Sequence, residues 1–303
     1  MTESPKGKTV GVRNNSRRPT RAMSPVVFAV VLFAASLHAT WNAIVKRGSD
    51  TLLTTVLVAT AAAVLGLLCV PFLPPPARAS WPYLATSSLL QVVYFALVAR
   101  AYHLADMSQT YPLMRGTAPL LVATATTLGL GRDALSTEAW AGVATICAGI
   151  LCMTGGQRRK DGHAGTTIAL INAVVIAGYT LVDGTGVRLS GAPAAYTLWL
   201  SILTGVPLLG WAVIVRRDAL VAYASRNGAA ALTGGAGTLA SYGLALWAMT
   251  RAPVAVIAAL RETSIVFGVA ISALVLHEPV RRRRVAAAVL ICAGAIILRL
   301  GAG

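Results

Sequence analysis

Leu113-Met114-Arg115-Gly116-Thr117 followed by Ile146-Cys147-Ala148-Gly149, and later Ala259-Leu260-Arg261-Glu262-Thr263 followed by Ile291-Cys292-Ala293-Gly294, organise this chain. The arginines stand 146 positions apart and the Ile-Cys-Ala-Gly strings 145 apart, in the same order. An offset held at two separate places marks an internal duplication. Residues 25–156 and 165–300 are therefore read as two copies of one unit, and residues 1–24 as a disordered, basic, cytoplasmic tail.

Composition says what the unit is made of. Of 303 residues, 56% are hydrophobic and 12% charged, against roughly 25% charged in a soluble domain. The mean hydropathy of +0.70 excludes a disordered chain as well. Ten apolar segments follow the tail, near 25–45, 51–73, 82–104, 107–130, 138–156, 165–187, 192–215, 229–250, 252–276 and 285–300. They are too long for barrel strands and lack two-residue alternation, so an all-α integral membrane fold of ten transmembrane helices is expected. Five spans per copy, an odd number, turn the second copy upside down in the bilayer. Inverted repeats around a central site are the architecture of alternating-access carriers.

The net charge of +16 comes from 26 Lys+Arg against 10 Asp+Glu. Most of these cations punctuate apolar runs, which points to loops beside anionic lipid and away from nucleic acid. With the tail inside, 11 Lys/Arg fall on the inner face and 13 on the outer, so charge leaves the orientation undecided. The four cysteines lack zinc or disulfide spacing and are expected in the packed core.

Trp41 and Lys46 in the first segment, the Tyr242-to-Val254 stretch, and a ninth segment ending Leu276-His277-Glu278 resemble the drug/metabolite transporter superfamily, in its form with two EamA-type domains. The likeness runs over nearly the whole chain after the tail. Pro119 matches the family's proline in the first half, where Gly131-Arg132 replaces its Gly-Glu. In the second half Glu278 is kept and Ile265 replaces the proline. The resemblance implies a permease of the inner membrane with both termini cytoplasmic. It implies amino acids, related metabolites or drugs as cargo, more often exported than imported.

Charge inside an apolar span is costly and marks function by default. Arg115 lies about 12 Å into the fourth segment at 1.5 Å per residue, and Arg261 holds the matching place in the ninth. Two guanidinium forks suit a carboxylate, phosphate or phosphonate. The competing reading is a buried ion pair with Glu262 or Asp183; Glu262 adjoins Arg261, and neighbours in sequence do not face each other on a helix. His38, Asn42 and Lys46 share one face of the first segment, with Trp41 beside them. Lys46 either lines the path or snorkels to the interface. Tyr179 and Asp183 repeat the four-residue spacing in the sixth segment. Gln91, Tyr94, Tyr111 and Tyr242 complete the proposed lining, although each aromatic alone is as well explained by packing. Asp183 and Glu262 are the candidates for proton or ion coupling. Gly142 and Gly149, with Ala287 and Gly294, let the fifth and tenth segments pack closely as a seam outside the site.

No nucleotide loop, HExxH or GxSxG pattern occurs, so the chain is not expected to be an enzyme or to need a cofactor. The expectation is a secondary transporter, monomeric or homodimeric, for a small anionic or zwitterionic metabolite. Coupling would be to protons or a counter-solute. The alternatives are a proton-coupled multidrug or cationic compound exporter, and a non-transporting sensor or scaffold.

Overall fold

Ten helices account for nearly all of the computed structural model, which describes residues 23–104, 107–130, 135–154, 163–275, 277 and 280–301. They are α1 (Pro25–Arg47), α2 (Thr51–Cys69), α3 (Trp81–Leu104), α4 (Met107–Ala125), α5 (Thr137–Leu151), α6 (His163–Ser190), α7 (Pro193–Met249), α8 (Val254–Arg261), α9 (Ser264–Leu274) and α10 (Arg282–Gly301). Asp50 caps α2 through Leu53 N, and Ser136 caps α5 through Ala139 N, satisfying free N–H groups at those starts. The expected tail lies outside the described residues, apart from Met23 and Ser24.

Polarity is arranged inside out. Phe72, Ile214, Leu274 and Leu300 are among many large apolar side chains exposed at the surface, while Arg115, Asp183 and Glu262 are buried. Such a surface suits a hydrocarbon solvent and no other. Seven helical stretches among the described residues are long and apolar enough to cross a bilayer. The chain is a multi-pass membrane protein.

One of those stretches, α7, has 57 residues, or about 86 Å if straight, nearly three bilayer cores. It is not straight. A Cβ at Gly205 would meet Ala63 Cβ at 2.8 Å, and one at Gly234 would meet Val58 Cγ2 at 2.8 Å. A straight helix would hold those two glycines about 44 Å apart, yet both touch a short stretch of α2. The fold-back falls at Arg216, whose φ of −139° and ψ of 37° leave the helical region. Two arms, 193–215 and 217–249, thus clasp α2. The sequence reading leaves 216–228 as a loop; the structure keeps 217–228 helical, because Leu220, Tyr223 and Ala224 pack against Leu53, Val56 and Leu57.

The seam between α5 and α10 forms as expected. Ser136 Oγ donates to Gly301 O at 2.9 Å, while the far end of α5 meets the start of α10, so the two run antiparallel. Their contacts are reciprocal. A Cβ on Gly294 would meet Ile146 Cγ1 and Gly142 O, and one on Gly149 would meet Ile291 Cγ1 and Ala287 O. Each contact becomes the other when 145 is added to one residue number and subtracted from its partner's.

Two further expectations need correction. Only Cys147 is buried; Cys69, Cys152 and Cys292 are exposed, since on a lipid-facing helix the outer side is as apolar as the core. The ninth segment is not one regular helix. Glu262 N donates to Ala259 O, Thr263 N to Leu260 O and Ile265 N to Glu262 O, all three residues back, and Thr263 Oγ1 adds a bond to Leu260 O. This overwound turn separates α8 from α9, and Glu262 sits in it.

Candidate functional site

Arg115 projects from α4 one turn before Pro119, a residue that cannot donate to the carbonyl of Arg115 and so loosens the helix there. Across from it, the end of α8 presents Glu262. Arg115 Nε lies 3.0 Å from Glu262 Oε2, with the residues 7% and 5% exposed. Arg115 Nη2 is buried and has no hydrogen bond. The argument from neighbouring positions separates Glu262 from Arg261 and does not reach this pair, which is made between helices. Arg115, Pro119, Tyr179, Thr180, Arg261 and Glu262 line a cavity of ≈ 20 Å³, room for one water.

Arg261 is half-buried at the same cavity. Its guanidinium lies 4.8 Å from the ring centre of Tyr242, a cation–π contact, and it has no ion pair or hydrogen bond among the described residues. Both arginines line one chamber.

Asp183 of α6 is fully buried and well supplied with donors. Tyr242 OH donates to Oδ2 at 2.5 Å, Tyr196 OH to Oδ1 at 3.0 Å, and Gln91 Nε2 to Oδ2 at 3.4 Å; Ser87 adds its hydroxyl. Donors from α3 and both arms of α7 therefore converge on one carboxylate of α6. A buried carboxylate with this many donors is tolerated without a cation. Asp183, the alternative ion-pair partner read for the arginines, is held by the tyrosines instead.

Of the remaining predicted residues, Tyr179 lines the cavity. Tyr179 stands edge-on to Tyr94, centroids 5.9 Å apart. His38, Tyr111 and Tyr179 lie within electrostatic reach of the buried charges, His38 of both arginines. Trp41 Nε1 donates to His38 Nδ1 at 3.3 Å, and Asn42 Nδ2 is turned back to His38 O at 2.8 Å. Asn42 thus serves its own helix. The Lys46 side chain, Glu278 and residues 131–134 lie outside the described residues. Sequence reasoning missed Ser87, Tyr196, Thr180 and Asn172. Asn172 is fully buried with Nδ2 on Met114 Sδ and Oδ1 unpartnered, and an amide in the apolar run Ala169 to Val175 was a visible signal for it. Nothing local distinguishes Tyr196 from a packing tyrosine.

A family model for the EamA-like transporter family matches residues 163–300, the half that supplies Arg261, Glu262, Asp183, Tyr196 and Tyr242. The matched residues are similar to an EamA-like transporter domain. The match agrees with the superfamily resemblance read from Tyr242 to Val254. No curated protein matches the chain. Among solved structures 27 chains match. One of them, described as "Crystal structure of protein", aligns over 90% of this chain and 94% of its own with a TM-score of 0.65 and 17% identity. That likeness shows a shared fold over both sides of the EamA-like boundary and nothing of cargo.

Proposed function

We propose that this EamA-family membrane protein is a secondary transporter of a small anionic or zwitterionic metabolite, such as an amino acid, organic acid or phosphonate. One observation carries the reading: Arg261 lines the buried chamber with its guanidinium over the Tyr242 ring and without an ion pair or hydrogen bond among the described residues. An unpaired guanidinium at membrane depth is a site awaiting an anion. A cation exporter would instead need a free buried carboxylate, and both carboxylates here are engaged, Glu262 by Arg115 and Asp183 by the tyrosines.

The fold-back of α7, together with α4 and the shorter α5, supports a reading of ten crossings, five in each half. Reciprocal contacts along the antiparallel α5 and α10 support an inverted pair of repeats meeting there. Rocking of the halves would open the chamber to each face in turn. The present cavity, at ≈ 20 Å³, suits the closed stage of that cycle. Inner-membrane residence with cytoplasmic termini belongs to the same reading.

A thermal-shift screen of purified protein against amino acids, organic acids and phosphonates tests it. A ligand at 100 times its Kd stabilises by about 2.7 kcal/mol. The expected hits carry a carboxylate or phosphonate and lose their shift in Arg261→Gln. Hits confined to organic cations would overturn the reading.

A further inference from the structure

Three charged groups line the chamber, Arg115, Arg261 and Glu262, and a fourth, Asp183, is linked to Arg261 through Tyr242, so that the four charges cancel. A monoanion entering this set would leave a net negative charge in a place of low dielectric. That is costly unless a proton comes with it. Building on the anion reading above, the question is which group accepts that proton.

The two carboxylates differ in what holds them. Asp183 receives hydrogen bonds from Ser87, Gln91, Tyr196 and Tyr242 and keeps them whatever happens at Arg115. Among the described residues Glu262 is ion-paired with Arg115 alone, and its Oε2 forms no hydrogen bond. A cavity with room for one water cannot seat a solute carboxylate beside the intact pair. Arg261 can hold one end of the solute's anionic group, and the other end reaches the Arg115 guanidinium only by taking the place of Glu262. Once displaced, Glu262 has within electrostatic reach Tyr111 of α4, Tyr179 of α6, Cys147 of α5 and the adjacent Arg261, whose side chain leaves the helix in another direction, and none of them donates a hydrogen bond to it. His38 is the poorer acceptor, because a proton there would sit within reach of two guanidiniums. The overwound turn at Glu262-Thr263 supplies the backbone freedom for the swing.

We propose that Glu262 is a tethered competitor for Arg115: the anionic group of the solute and the Glu262 carboxylate exchange on the guanidinium, and Glu262 takes one proton from water for each monoanion bound. No covalent bond changes; the proton returns to water when the solute leaves and the ion pair closes again. The carrier would thereby move monoanion and proton together.

Infrared spectroscopy of the full-length protein in liposomes reads this directly, with thiocyanate as the probe because it stays a monoanion at every working pH. At pH 7 the wild type should show no carboxylic-acid carbonyl band from Glu262. Saturating thiocyanate should raise that band, and Glu262→Gln should abolish it. Above the midpoint, thiocyanate should bind tenfold more weakly per pH unit, and Glu262→Gln should flatten that slope. Arg115→Gln should show the band without any anion, and if that variant does not fold the wild-type titration stands alone. A band that persists in Glu262→Gln, binding independent of pH, or no binding and no band would each overturn the proposal. The transport reading fails separately: absent flux with the band present contradicts the carrier, whereas flux independent of pH with no band contradicts only the exchange.

Discussion

Tyr242 joins the two charged systems of the chamber: its ring lies 4.8 Å from the Arg261 guanidinium, and its hydroxyl donates to Asp183 at 2.5 Å. The second arm of α7 is thereby tied to α6 by one end of a side chain and to α8 by its face. The two functions of this tyrosine separate by substitution. Tyr242→Phe removes a hydrogen bond to a charged group, worth about 1.5–3 kcal/mol, and keeps the ring. Tyr242→Ala loses the cation–π contact as well, about 0.5–2 kcal/mol more. Unfolding in detergent should rank wild type above Phe above Ala; equal losses would mean that the ring contact contributes nothing.

The Arg115–Glu262 pair should show strong coupling. Removing one partner leaves a buried charge and costs about 3–5 kcal/mol, while replacing both by apolar residues is close to neutral. Arg115→Met and Glu262→Leu, singly and together, form the cycle. The double variant is expected to be more stable than either single one. Additive losses would show that the two side chains do not interact.

The seam makes a paired prediction. Gly294→Ala places a methyl 2.7 Å from Ile146 Cγ1, and Gly149→Ala places one 3.2 Å from Ile291 Cγ1 and 2.9 Å from Leu290 Cβ. Each should cost about 1–3 kcal/mol through overpacking. Gly210→Ala, where a Cβ meets nothing within 4 Å, should instead gain up to about 1 kcal/mol from helix propensity. Similar melting temperatures for all three would contradict the close approach of α5 and α10.

The folded α7 can be tested by cross-linking in a background without the native cysteines. Ala63→Cys with Gly205→Cys and Ala61→Cys with Gly235→Cys place each pair in contact across α2 and α7. Both pairs should form bonds on mild oxidation, since their Cβ atoms lie within disulfide reach. A straight α7 permits one pair at most.

How much of this was legible in the sequence depends on what each feature owes to distant parts of the chain. Arg115 and Arg261 stand out because a charge in an apolar run has no ordinary explanation, and the constant offset puts them at matching heights. The seam is legible for the same reason, since small residues seven apart have few other uses. The partner of Arg115 is not legible: it depends on how α4 crosses α8, and no local rule carries that register. Tyr196 is hidden because a tyrosine in a membrane helix reads equally as packing, as interface or as donor until Asp183 is seen beside it. The cysteines mislead because lipid and core are both apolar, so periodicity separates them poorly.

The central claim is that the arginine chamber carries a small anion across the membrane. Uptake of a radiolabelled organic acid or amino acid, chosen from the thermal-shift hits, into proteoliposomes of wild type, Arg261→Gln and Arg261→Lys tests it most directly. The account predicts saturable uptake in the wild type, at least a tenfold loss in Arg261→Gln and a partial return in Arg261→Lys. Uptake undiminished in Arg261→Gln, with the protein folded, would contradict it.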